Sequence, residues 1–383
     1  MNHSQKAALV HALSIRDLTD PSEGPHAIQL VVDRAVAGLV RAWQCPARTI
    51  RSSPLVTVGD NYDELGYPAD AVTRDERYTR YAGEGVLLRT QTSALVPPAL
   101  RALAREQPDD VLLVCPGIVY RRDQIDRLHT GEPHQLDLWR IRRGSPLGDS
   151  DLMAMIGAVV GAVLPDRGWR TQAACHPYTS GGLQIDVATA EPDRWLEIGE
   201  CGLAATAVLE RAGLAGYGGL AMGLGLDRLV MLLKGIDDIR LLRSAAPRVR
   251  AQMQDLEPYR RVSSMPPIRR DLSIATTHSL DVELLGDRVR EALGADAAMV
   301  EEVEILSATP YEELPPVAAT RLGISPGQHN LLVRVVLRAL DRTLTHDEAS
   351  ALRDRIYAAL HEGSVHTWAL GPPASTTPAG NPV

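Results

Sequence analysis

The sequence predicts an α+β chain in two parts, a larger one of helices and hairpin-connected strands and a smaller βαββαβ unit. Three observations carry this reading. Gly219 to Arg243 passes from a strand of small residues into a helix with an apolar stripe; Val111–Tyr120 and His134–Ile141 are strands joined by a long polar connection; and beyond a stretch rich in Arg and Pro, Ser244 to Pro267, strand and helix patterns alternate through a second unit. At 383 residues, 45% of them apolar, the chain can bury a sizeable core and fill two domains.

The strand–helix turn is the most informative stretch. Ala221-Met222-Gly223-Leu224-Gly225 leads through Leu226-Asp227 into a helix striped by Leu229, Val230, Leu232 and Leu233, with Arg228 in its first turn. Glycines at such a turn let backbone pass close to a ligand, and a guanidinium beside a helix N-terminus faces an anion, phosphate being the best fit. The dinucleotide-binding fingerprint does not fit, because Asp227-Arg228 stands where its third glycine belongs.

Other classes are bounded by composition. No apolar run is long enough to cross a membrane, and the N-terminus, MNHSQKAALVHALSIRDL, has neither a signal nor a transit pattern, so a cytoplasmic protein is expected. Cys45, Cys115, Cys175 and Cys201 are far apart and read as buried free thiols rather than a zinc site or disulfide framework. A net charge of −8 leaves nucleic-acid binding to local basic patches. Lysine is almost absent beside many arginines, and phenylalanine is absent altogether.

In order along the chain, a frayed start precedes an amphipathic helix from Ala27 to Trp43. Thr49 to Pro68 mixes a short strand with turn residues. Leu87 to Ser93 leads into a helix from Ala94 to Glu106, with Thr92 and Ser93 placed as caps. Asp151 to Leu164 is a helix, and Trp169 to Ala188 is a strand, a turn and a strand, with Gly181-Gly182 as the hairpin signal. In the second unit the order is strand Arg269–Thr276, helix Asp281–Leu293, strand Met299–Ser307, a loop with Pro310, Pro315 and Pro316, strand Asn330–Ala339, helix Thr345–Glu362 and a last strand near Val365 to Leu370. That order is a ferredoxin-like split motif. Thr345 ahead of Asp347-Glu348 is a helix cap, and the Pro/Thr-rich tail from Gly371 is expected to be disordered.

Gly223-Leu224-Gly225-Leu226-Asp227-Arg228-Leu229, followed by Gly235-Ile236-Asp237-Asp238-Ile239-Arg240, resembles the third signature motif of class II aminoacyl-tRNA synthetases in its phenylalanine-specific form. Gly117-x-Val119-Tyr120-Arg121-x-Asp123, His129 and His134-Gln135-x-Asp137 resemble the second motif, and Asn61-Tyr62-Asp63-x-Leu65-x-x-Pro68 the first-motif region. Arg269-Arg270-Asp271-Leu272 and Arg342-Thr343-Leu344-Thr345 resemble the family's ferredoxin-fold anticodon-binding domain.

The resemblance implies an antiparallel class II sheet flanked by helices. It divides the chain into a catalytic domain at 1–250, a linker at 251–267, an anticodon-binding domain at 268–370 and a tail at 371–383. It implies ATP and Mg²⁺. Arg121 and Arg228 become the catalytic cations, with Asp123, His129 and Gly225 beside ATP. Gln91, Ser93, Gln135, Asp137, His176, Tyr178 and Ala221 would hold the amino acid, Glu197 and Glu200 a metal, and Arg269, Arg270 and Arg342 tRNA, the phenylalanine acceptor first. The single-chain relatives act as monomers while the first motif is a dimer surface, so both a monomer and a homodimer are open.

Departures from the family keep other readings in play. The family's Phe-x-Phe-Thr is here His176-Pro177-Tyr178-Thr179; Pro133 stands at an adenine-stacking position; and Leu220 and Met222 flank Ala221 where aromatics are expected. A paralogue that activates a different amino acid for a biosynthetic acceptor, and a catalytically weak tRNA-binding sensor, are the alternatives.

Overall fold

The computed structural model describes residues 3–144, 146–262, 266–277 and 281–366. The chain forms two compact units, one of Met1–Arg122 with Leu128–Arg261, the other of Asp123–Arg127 with Val262–Val383.

The first unit opens with α1 (His3–Ser14), where the sequence reads as frayed, and α2 (Ala27–Trp43). Short strands β1 (Ala47–Thr49), β2 (Leu55–Thr57), β3 (Tyr81–Gly83) and β4 (Val86–Leu88) precede α3 (Val96–Glu106). Then come β5 (Asp110–Ile118), β6 (His134–Arg143), α4 (Asp149–Val163), β7 (Trp169–Ala173), β8 (Thr179–Ala188), β9 (Trp195–Ala204), α5 (Thr206–Arg211), β10 (Tyr217–Gly225), α6 (Leu226–Lys234) and α7 (Pro247–Gln252). The main sheet runs β1-β5-β6-β10-β9-β8-β7, antiparallel throughout except for the parallel pair β1–β5. A small antiparallel sheet, β2-β4-β3, stands apart from it.

Each element has a local cause. Helix α2 buries Ile28, Val31, Val32, Ala35 and Leu39 along one stripe, and its N-cap is His26, whose Nδ1 accepts the Ile28 N–H at 3.1 Å. Helix α3 starts at Val96-Pro97, where a proline has no N–H to waste. With α5 it covers Val111, Leu113, Cys115, Trp139, Ile141 and Ala221 of the sheet. The stripe of α6 differs from the one read in the sequence. Lys234 is fully buried, its ammonium donating to the carbonyls of Asp255 and Glu257 and to the Asp255 carboxylate.

Three further expectations are corrected. The stretch read as a linker contains α7, with Val249 and Met253 buried. Gly181-Gly182 is not a hairpin turn but a register shift within β8, while the chain reverses through 174–178. Cys45, Cys115 and Cys201 are buried free thiols, but Cys175 is exposed.

The second unit comprises β11 (Ile268–Thr276), α8 (Val282–Leu293), β12 (Val300–Pro310), α9 (Pro316–Leu322), β13 (His329–Leu337) and α10 (His346–Leu360). Its antiparallel sheet has the order β11-β13-β12, and α8 and α10 cover one face around Leu285, Val289, Val333, Val335, Leu352 and Ile356. The segment Asp123–Arg127 joins this core through Ile125, whose carbonyl accepts the Val303 N–H at 2.9 Å. Helix α9 replaces the expected proline loop, and the last expected strand lies, beyond His366, outside the described residues. Among the described residues no helix is long and apolar enough to cross a membrane.

The α2 cap carries a pH signature. His26 is buried, its Nε2 donating to the Leu242 carbonyl at 3.0 Å, and burial pushes its pKa down from 6.5 to about 4. The folded chain holds this ring neutral while the unfolded chain protonates it, so its contribution is complete above pH 6.5 and is lost as pH falls towards 4. We expect wild type to lose about 3 kcal/mol of unfolding free energy over that window relative to His26→Asn, which keeps a capping acceptor. Urea melts at several pH values measure it, and a gap independent of pH would refute the assignment.

Candidate active site on the central strands

Strand alternation decides what the site contains. On β10, Ala221, Gly223 and Gly225 share one face and Leu220, Met222 and Leu224 the other. The register sets Ala221 between Trp139 and Gly202, Gly223 between Asp137 and Glu200, and Gly225 opposite Gln135. The side chains that flank this column therefore look across glycines. A Cβ on Gly223 would come no nearer than 3.9 Å to any other atom, the Asp137 Oδ2, and one on Gly225 no nearer than 3.8 Å. Leu220 and Met222, read above as changes to the pocket wall, are buried on the opposite face.

Asp137 is the most constrained group on this face. It is 3% exposed and accepts from Thr92 Oγ1 at 2.7 Å, Ser93 Oγ at 2.9 Å and Trp139 Nε1 at 3.2 Å. Burial pushes its carboxyl above the usual range, although these three donors pull it back. Ser93 is thus a buttress of Asp137. The neighbouring Gln135 accepts the Thr92 N–H at 3.3 Å. Gln91 donates from Nε2 to the Asn61 carbonyl at 3.0 Å and accepts at Oε1 from Tyr67, whose hydroxyl burial pushes up to about 12.

Cations and carboxylates gather beside it. Arg121 is exposed and anchored by one bond, Nε to the Thr90 carbonyl at 2.9 Å. Arg228 donates from Nη1 to the Glu197 carbonyl at 3.3 Å and pairs with that residue's carboxylate at 3.8 Å. Glu197 and Glu200 are three apart on β9 and would face opposite ways in a regular strand. A register shift pairs Gln184 with Glu200 but Asp186 with Glu197, and both carboxylates reach one face. Glu200 bonds His176 Nε2. Burial raises its carboxyl and Glu197 adds to this, while His176 and Arg121 act against it.

The rings of Trp139, Tyr178 and His176 stack in series, with centroids 6.0 and 5.2 Å apart, and Tyr67 lies 6.2 Å from Tyr178. Tyr178 packs against the cluster that contains Ala221, and burial pushes its hydroxyl up. His176 and Tyr178 thus form a wall with polar edges.

A buried pair that the sequence reading missed ties the start of β6 to the first turn of α6. Asp227, 4% exposed, accepts the His134 N–H at 2.6 Å and its Nδ1–H at 3.0 Å, while His134 Nε2 accepts the Leu18 N–H at 3.1 Å. The ring thus donates from Nδ1 and accepts at Nε2. Burial opposes charge on Asp227, but His134, by attraction as well as by these bonds, and Arg243 outweigh it and hold the carboxyl below its usual range. His134 and Asp227 are the chain neighbours of Gln135 and Arg228.

The remaining expected site residues divide between the two units. Asp123 belongs to the second unit, where its carbonyl accepts from Arg290, whereas His129 belongs to the first. In the second unit Arg269 is exposed, Arg270 bonds His346 Nδ1 at 3.1 Å, and Arg342 pairs with Glu348 at 2.9 Å. Arg342 and the α10 cap hold Glu348 down at about 2. The described residues hold no group of three His, Cys, Asp or Glu side chains placed to bind a metal ion. Glu197 and Glu200 alone suit a hard cation that keeps water and substrate oxygens as its other ligands.

Comparison with known proteins places the first unit in a family. Residues 43–253 match the family model described as tRNA synthetases class II core domain (F). The chain is 40% identical over 184 residues to the phenylalanine–tRNA ligase alpha subunit of Prochlorococcus marinus (strain MIT 9313), which covers 48% of this chain and 52% of that one. The alpha subunit of Nostoc punctiforme is 34% identical over 220 residues, 57% of this chain and 63% of its own. The chloroplastic/mitochondrial phenylalanine–tRNA ligase of Arabidopsis thaliana is 27% identical over 317 residues, 79% of this chain and 68% of its own. The chain thus spans about half to two thirds of the length of the alpha subunits it matches.

The two faces of the central strands respond differently to added volume. Gly223→Ala should leave stability within about 1 kcal/mol of wild type, whereas Gly199→Ala drives a methyl into the Gly223 carbonyl and the Leu224 side chain and should cost about 1–3 kcal/mol or more. Denaturant midpoints decide it, and equal losses in both variants would mean that the open face is wrongly assigned.

Proposed function

The chain belongs to the class II aminoacyl-tRNA synthetases of the phenylalanine type, and on that premise we propose that it activates phenylalanine or a related aromatic amino acid with ATP and transfers it to tRNA. The observation that carries the reading is one sheet face, kept open by Gly223 and Gly225, with a buried carboxylate at Asp137 and the arginines Arg121 and Arg228 anchored beside Glu200 and Glu197.

Asp137 and Gln135 take the substrate ammonium group. A cation placed there offsets the cost of burying the Asp137 carboxylate, so the upward shift of that group is relieved by the ligand. Thr92 and Ser93 hold these residues in place, and Ala221 with Tyr178 and His176 bounds the side chain. The substrate carboxylate is already a nucleophile at neutral pH. One of its oxygens bonds to the α-phosphorus of ATP, the bond to the bridging oxygen breaks, and pyrophosphate leaves with that electron pair. No general base is required; Arg121 and Arg228 neutralise charge that grows on the phosphoryl oxygens. Glu197 and Glu200 would hold Mg²⁺, which supplies further neutralisation of the phosphates when bound. In the second step a ribose hydroxyl of tRNA attacks the adenylate carbonyl and AMP departs.

The proposal extends to domains and partners. Residues 1–250 form the catalytic domain and 268–370 the tRNA anticodon-binding domain, joined by 251–267, in a cytoplasmic monomer or homodimer. Residues 266–366 carry ten arginines, no lysine and sixteen acidic residues, so any grip on RNA is local, through Arg269, Arg270 and Arg342, rather than spread over the unit. The polar edges of His176 and Tyr178 favour a second reading, a paralogue that activates a more polar amino acid for a biosynthetic acceptor, because a polar side chain can bond to such edges and an apolar one cannot.

Amino-acid-dependent exchange of pyrophosphate into ATP, run across the standard amino acids, tests both. We expect exchange with phenylalanine and a loss of roughly 10²–10³ in rate for Arg121→Ala or Arg228→Ala. Exchange with a polar amino acid alone would select the second reading, and none with any substrate from a folded protein would remove the enzyme.

A further inference from the structure

We infer that Asn61 is a positioning residue for Arg121 and Gln91, acting through Thr90. The inference rests on the catalytic reading above and assigns a role to a string that the sequence ties only to a dimer surface. Asn61 is fully buried in a single π-helical turn, Gly59–Asp63, remote in sequence from both residues it serves. Both ends of its side-chain amide bond Thr90: Oδ1 accepts the Thr90 N–H at 3.2 Å and Nδ2 donates to the Thr90 Oγ1 at 2.9 Å. Its carbonyl accepts from Gln91 Nε2 at 3.0 Å.

Thr90 lies in neither strand nor helix, so no ladder fixes its backbone. The Asn61 clamp replaces the missing ladder partner and sets the plane of this stretch. The Thr90 carbonyl in turn accepts from Arg121 Nε at 2.9 Å. The guanidinium is otherwise exposed, and holding it by Nε leaves both terminal nitrogens free to point at a carboxylate or phosphate. Removing the clamp lets the Thr90 carbonyl rotate and Arg121 lose its aim, without touching any substrate-facing group.

Two variants separate positioning from general damage. Asn61→Ala removes both bonds to Thr90, while Asn61→Asp keeps acceptors for the Thr90 N–H and hydroxyl. We expect Asn61→Ala to lower the pyrophosphate exchange rate at saturating ATP roughly 10- to 100-fold, with Asn61→Asp restoring much of it. In an Arg121→Ala background, Asn61→Ala should cost little more, because both changes act on one element. Losses that multiply instead would show a structural role and overturn the inference. A readout independent of catalysis is the Arg121 Nε–H resonance in ¹⁵N-arginine-labelled protein, assigned by its absence in Arg121→Lys. It should be protected from exchange with water in wild type and Asn61→Asp and unprotected in Asn61→Ala. Equal protection in all three would overturn the inference, even for a protein that shows no exchange with any amino acid, whereas that inactivity itself would count only against the catalytic reading.

Discussion

The site depends on the pleat of β10. Because successive residues of a strand face opposite ways, the run Leu220 to Gly225 sorts its bulk onto one side and its small residues onto the other. The leucines and Met222 are sealed in the core, and the column Ala221, Gly223, Gly225 leaves space at the middle of a packed sheet. A side chain at Gly223 would occupy the ground between Asp137 and Glu200. The same alternation on β6 and the register shift on β9 bring Gln135, Asp137, Glu197 and Glu200 to that space.

Two buried aspartates bound the site and are treated in opposite ways by the protein. Asp227 takes both a backbone and a ring N–H from His134 and is held ionised, a finished interaction with nothing left to bind. Asp137 has three donors yet remains above its usual range, so its desolvation is only partly offset. A structural carboxylate is satisfied by its own chain. Under the proposed function, the ammonium group of the ligand would offset what remains at Asp137.

Much of the framework was legible because its causes are local. Glycines and an apolar stripe placed the turn at Gly225 and put Arg228 in the first turn of α6; helical spacing gave α2 with its ends at Ala27 and Trp43. What stayed hidden is non-local. Asn61 and Thr92 act on partners 29 and 45 residues away, so no window of sequence contains both ends of those bonds. The side-by-side placement of Glu197 and Glu200 depends on an irregularity that period-two reasoning excludes. Helix α9 was mistaken for a loop because Pro315 and Pro316 were read as breakers, although a proline in the first turn of a helix is compatible with it. Lys234 ran against its residue type: a lysine inside a helix stripe signals the solvent face until its three acceptors are known.

The burial of Lys234 makes the chain almost blind to amine chemistry. The sequence has only two lysines, and the other, Lys6, is exposed on α1. With one ammonium sealed in a cage of oxygens, an amine-directed reagent meets a single side chain besides the N-terminus. Lys6 stands far along the chain from every residue assigned to the site. A fluorophore or surface tether attached through a lysine side chain would therefore fall on α1 and leave the arginines of the site unmodified.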